Sequence, residues 1–99
     1  MTPATFQLSN PAPETLAVSG ALTFATAADA LSAARAELDR GRQVTNLDLA
    51  GVAQADSAGL ATVLALLAHA RTQGRALSVA HVPTGMHALA RVSGVDSFL

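Results

Sequence analysis

Polar and apolar residues alternate at period two in Thr5-Phe6-Gln7-Leu8, which predicts a short strand with one buried face. Asn10-Pro11-Ala12-Pro13 then carries turn chemistry. Leu16-Ala17-Val18-Ser19 reads as a second strand stopped by Gly20, and so short a connection predicts an antiparallel hairpin. Beyond Leu22 and Phe24 the period changes. Thr26 is placed to cap a helix from about Ala27 to Arg40, with Leu31, Ala34 and Leu38 on one face and Gly41 as its stop.

Val44 to Leu49 reads as a central strand, followed by a GVAQAD crossing. Ser57 to Thr72 is the second helix, closed by Gly74. Ala76 to Val82 is a further strand, and Pro83 and Thr84 introduce a third helix through about Val92. The tail SGVDSFL is expected to fold Val95, Phe98 and Leu99 back onto the body. The order ββαβαβα pairs the later strands in parallel through right-handed crossovers. It predicts an α/β fold, a mixed sheet of about four strands with three helices packed on it, as a single domain over residues 1–99.

Composition narrows the functions. A chain of 99 residues has room for one core but not for a deep substrate cavity as well. Hydrophobic residues are 51%, many of them alanine, and charged residues only 13%, so much of the surface is small and weakly polar. Such a surface suits cover by a partner. Six basic against seven acidic residues leave no electrostatic footprint for nucleic acid. Without cysteine there are neither disulfides nor thiolate metal sites. MTPATFQLSN lacks the basic and apolar regions of a signal peptide. The apolar run Leu60 to Ala68 falls far short of the roughly 20 residues that a membrane span needs. A soluble, cytoplasmic protein is the expectation.

The stretch ADSAGLATVL, residues 55–64, sets an acid beside a hydroxyl at the start of the second helix. An open α/β sheet presents its functional surface there, beyond the carboxyl ends of parallel strands. Asp56 and Ser57 can simply cap the first turn. Alternatively, Ser57 is an addressable hydroxyl, where free amides and the helix dipole would favour a phosphate and Asp56 would oppose one. Leu60, Val63, Leu64 and Leu67 form a core stripe. Ser57, Ala61, Ala65 and Ala68 run up another face, bordered by Thr62 and His69. That face admits a close-approaching partner, unless the helix is buried on both sides within its own fold.

ADSAGL resembles the D-[ST]-x-G-[LIV] signature of STAS domains, the fold of anti-sigma factor antagonists and of the cytosolic modules of sulfate transporters. TLAVSGALTFATAADAL and LDLAGVAQADSAGLATVLALLAHARTQGRALSV are similar to matching segments of the MlaB-like small subunit of the bacterial Mla phospholipid ABC transporter. The resemblance implies a STAS fold and no catalysis of its own. It implies docking on an MlaF-like ABC transporter ATPase in a complex with a permease, which maintains outer-membrane lipid asymmetry. Partner contacts would fall on Ser57, Ala58, Ala61, Thr62 and Ala65, with Asp56 and Gly59 as supporting motif residues. Gly59 costs about 1 kcal/mol of helix propensity relative to Ala, so it needs a steric reason. The alternative implied function is an anti-sigma factor antagonist, in which phosphorylation of Ser57 ejects an anti-sigma factor kinase. Antagonists usually continue past the third helix and carry an acid before the first, where this chain has Leu22-Thr23-Phe24-Ala25-Thr26 and ends at Leu99. Both departures point to the transporter subunit.

Other chemistry finds little support. His69, His81 and His87 lack the close spacing of a zinc motif. There is neither a G-x-S-x-G elbow nor a Walker motif, so nucleotide chemistry would belong to a partner and no cofactor is expected. The six arginines are scattered, with Arg71 and Arg75 placed to complement the end of the second helix.

Overall fold

The computed structural model describes residues 5–40 and 43–99. Four strands, β1 (Phe6–Ala12), β2 (Thr15–Leu22), β3 (Asn46–Ala55) and β4 (Ser78–Ala80), lie in the order β1-β2-β3-β4. β1 pairs with β2 antiparallel, whereas β2–β3 and β3–β4 are parallel. The helices α1 (Ala27–Arg40), α2 (Ser57–Thr72) and α3 (Thr84–Val92) follow β2, β3 and β4 in turn, and a 3-10 turn spans Asp96–Phe98. This is the mixed α/β sheet with three helices that the sequence pattern predicts.

Strand parity explains the layering. Leu16 and Val18 of β2 and Leu47 and Leu49 of β3 point into one core, whereas Ala17, Ser19 and Asp48 between them do not. The helices answer with Ala30, Ala34 and Leu38 from α1, Leu60, Val63, Leu66 and Leu67 from α2, and Met86 and Ala90 from α3. All three helices therefore cover the same face of the sheet. Ala30 and Ala34 let α1 approach closely, and Leu31 is only half-buried beside them. The core stripe of α2 differs from expectation in one step: Leu66 is buried and Leu64 half-exposed.

Several boundaries move. β1 runs through Asn10 and Pro11 to Ala12, so the turn falls on Pro13 and Glu14 instead. An edge strand tolerates a proline because its missing N–H faces outward, and the register slips between Ser9 and Ala12 to fit it. The Asn10 amide then donates to the Thr15 carbonyl at 3.1 Å. Gly20 does not stop β2. It takes φ +88° within the strand, where a Cβ would press on the Thr5 carbonyl oxygen. β3 continues through the expected GVAQA crossing to Ala55, paired there with β2 across two register shifts. β4 contracts to three residues. In the tail, Val95 and Leu99 pack on the core, but Phe98 stays 55% exposed. Gly41, the expected stop of α1, lies outside the described residues.

Candidate functional site

The parallel pairing of β2 and β3 ends at Leu22 opposite Ala55, so the two strands release their chains side by side. One exit becomes the Thr23–Thr26 turn before α1, and the other becomes Asp56 and α2. This arrangement brings Phe24, Asp56 and Ser57 together from sequence positions 32 and 33 residues apart, and one side chain links them. Asp56 is the N-cap of α2, its Oδ1 accepting from the Ala58 and Gly59 amides at 2.9 and 3.1 Å. Its Oδ2 accepts from the Phe24 N–H at 3.0 Å. The Phe24 N–H above all, with the Gly59 and Ala58 amides, holds the Asp56 carboxyl below its ordinary value against the opposing effect of desolvation.

Gly59 has the steric reason that its position demanded. A Cβ there would overlap the Leu22 carbonyl, because the first turn of α2 rests directly on the end of β2. Thr26 does not cap α1 with its side chain. Its hydroxyl donates to the Ala21 carbonyl at 2.8 Å and accepts from the Thr23 N–H at 3.0 Å, which ties the turn back to β2. The Thr26 carbonyl takes the first α1 bond, from Ala30 N–H at 2.9 Å.

With capping assigned to Asp56, Ser57 is left exposed, and its hydroxyl makes no hydrogen bond among the described residues. The two opening amides that would draw a phosphate are already occupied by Asp56. Ala61 and Ala68 are exposed on the same side as Ser57, with Ala58 and Ala65 half-buried at its margin. Thr62 is a correction. It is 4% exposed, lies about 140° round the helix from Ser57, and donates to the Ala58 carbonyl at 2.9 Å. A buried hydroxyl satisfied within its own helix is a packing group and offers nothing to a partner.

Sequence reading passed over Phe24. It is 87% exposed, in a chain with three aromatic residues, and it sits beside Ser57 because Asp56 fixes its backbone. Aromatic residues, Phe among them, are enriched where partner surfaces are buried, and this one is presented on a turn whose backbone is tied down. The signal was present as a phenylalanine outside any apolar period. The histidines stay apart. His69 and Gln73 are hydrogen-bonded to Asp39 at 2.8 and 2.6 Å, clamping α2 to α1, so His69 does not border the alanine face freely. His81 is bonded to Asp48 at 2.9 Å. The Arg75 guanidinium donates to the carbonyls of Leu38 at the end of α1 and of Val44 before β3, at 2.6 and 2.8 Å, while its backbone N–H closes α2 on the Ala70 carbonyl at 2.9 Å.

This architecture, with a hydroxyl at the head of α2 where two parallel strands end, is that of a STAS domain. The anti-sigma factor antagonist SpoIIAA in its unphosphorylated form superposes with a TM-score of 0.71 at 17% identity, over 95% of this chain and 84% of that one. The phosphorylated form of SpoIIAA, described as a Bacillus cell fate determinant, gives a TM-score of 0.64 at 18% identity, over 95% and 87%. Likeness at that identity shows the fold alone. No curated protein sequence matches significantly. A family model described as "Mlab, STAS domain" matches residues 6–99, and the chain belongs to that family.

Proposed function

We propose that this chain is a non-catalytic cytoplasmic subunit that docks the head of α2 on the ATPase of a phospholipid-transporting ABC complex, and is peripheral to the inner membrane only through that partner. The exposed Ser57, unbonded among the described residues, beside the exposed Phe24 carries this reading. Membership in the MlaB-type family supports the choice of partner. Ala58, Ala61 and Ala65 flank the hydroxyl with little bulk, so a partner backbone can come close. Among the described residues no helix is long and apolar enough to cross a membrane. Such a subunit acts on the ATPase by binding one of its conformations, or its folded form, more tightly than the alternatives.

An affinity capture from native lysate, with wild type and Ser57→Glu and identification by mass spectrometry, tests this. The expected result is an ABC ATPase and its permease held by wild type and weakened at least about tenfold in the variant. A carboxylate buried without a partner costs more than the 1.4 kcal/mol that a decade represents. Ser57 is exposed and its hydroxyl supports no other described residue, so the variant keeps its fold. Unchanged capture removes Ser57 from the interface centre.

A second reading rests on the same hydroxyl. With the opening amides taken, a phosphate on Ser57 would project outward next to the Asp56 carboxylate, placing concentrated negative charge on the docking face. That is how a partner switch would eject its kinase. Capture of an anti-sigma factor kinase in place of the ATPase selects this reading.

A further inference from the structure

Over the C-terminal half of α2, from Leu64 onward, lies a groove of about 660 Å³ between α2, the approach to β4 and the C-terminal turn. This volume falls within the range of small-molecule sites, roughly 300–1,000 Å³. Its walls are the apolar side chains of Leu64, Leu67, Leu77, Val95 and Phe98. Two charged residues line it, Arg71 and Arg75, and among the described residues no acidic side chain does. The Arg75 guanidinium is fixed on the Leu38 and Val44 carbonyls. Arg71 is exposed, and no carboxylate pairs with it among the described residues.

We infer that this groove binds an anionic amphiphile, its head on Arg71 and its unbranched chain over Leu64, Leu67, Leu77 and Phe98. A guanidinium presents a donor fork matched to a carboxylate or phosphate. The apolar walls supply the remaining contact, which suits an alkyl chain and offers little to a sugar or a polar metabolite. A mouth of one sign rejects a cationic head. A two-fold contact over the groove would bring the patches of both copies together, two Arg71 guanidiniums included, with no acidic lining residue among those described to offset them. The groove begins at Leu64, next to Ala65 of the docking face, but its charged end at Arg71 lies fourteen residues and about 21 Å from Ser57.

The test is an amide NMR titration of the full chain with decanoate below its micellar concentration, using decyltrimethylammonium as the cationic control. Decanoate should shift residues 64–77 and 95–98 saturably while leaving Phe24 and Ser57 unmoved. The cation should bind at least about tenfold more weakly, and Arg71→Ala should weaken decanoate by about three- to tenfold. Ala68 is an exposed lining residue, so Ala68→Trp should fill the groove and abolish the shifts while keeping a dispersed spectrum; Ala68→Leu is the milder version of the same block. Absence of saturable shifts, equal binding of both amphiphiles, or binding indifferent to the Ala68 variants overturns the proposal. So do concentration-dependent shifts of the same residues without amphiphile, which would assign the groove to a second copy.

Discussion

Gly59 stands in the first turn of α2 and Gly74 just past its last, and they answer to different constraints. Gly59 has ordinary helical geometry, and its requirement is space: the Leu22 carbonyl sits where a Cβ would go. At Gly74 a Cβ would meet no described atom within 4 Å, and the requirement there is conformation, φ +71°. The contrast extends to the surroundings. At the head, one carboxylate joins two strand exits and a helix start, so the exposed Ser57 and Phe24 are held on a rigid frame. At the foot, the chain turns into open space over an apolar groove. Recognition of one specific partner needs the first arrangement, and an adaptable ligand site tolerates the second.

Alanine at each glycine is the sharpest way to break that comparison. Gly59→Ala forces backbone or strand movement and should cost about 3 kcal/mol in urea unfolding, at the upper end of overpacking effects. Gly74→Ala meets only the left-handed conformational penalty and should cost about 1–2 kcal/mol. Equal losses would show that the head of α2 is no more tightly fitted than its foot.

The pH dependence of stability sharpens the role of Asp56. Its carboxyl is lowered by the Phe24 N–H first, so the stability it contributes is complete above the unfolded value of about 3.9 and lost as pH falls through the lower folded one. The urea midpoint of wild type should therefore fall more steeply as pH drops below about 4 than that of Asp56→Asn. Asp39, lowered by His69 and then Gln73, and Asp48, lowered by the Ala50 N–H and then His81, contribute the same trend to both proteins and cancel in the difference. Parallel slopes would mean that the carboxylate link between the strand exits carries little.

Thr62→Val should cost about 1 kcal/mol or less, the net value of one hydrogen bond, and leave partner affinity unchanged. Smaller still is the stability effect of Phe24→Ala, within about 0.5 kcal/mol because the ring is exposed, although partner affinity should fall. A loss of affinity from Thr62→Val with none from Phe24→Ala would reverse the assignment of the docking face.

The bounds of α1, α2 and α3 were legible from helix-forming runs bounded by turn and cap residues, although of the expected caps only Asp56 bonds the first turn of its helix through its side chain. The carboxyl end of β3 was not. Ala50-Gly51-Val52-Ala53-Gln54-Ala55 is small and mostly exposed, and its extended form comes from pairing with β2, which no local period records. Asn10 and Pro11 carry turn chemistry that an edge strand absorbs through a register slip. At the site, Asp56, Ser57 and Gly59 followed from the motif, but the division of labour between cap and exposed hydroxyl needed the geometry of the first turn. Thr62 was misassigned because periodicity gives a side chain its angle and does not say which flanks its own fold covers. The Phe24 backbone meets the Asp56 carboxylate only through the adjacency of two strand ends.

The docking face can be tested directly because the chain has no cysteine. Ser57→Cys, Ala61→Cys and Ala68→Cys, each carrying a short photocrosslinker, would be irradiated in native membranes and the adducts identified by mass spectrometry. Crosslinks from positions 57 and 61 to an ABC ATPase, with little from position 68, are the predicted result. Crosslinks to the ATPase from position 68 alone, or no ATPase adduct at any position, would contradict docking through the head of α2.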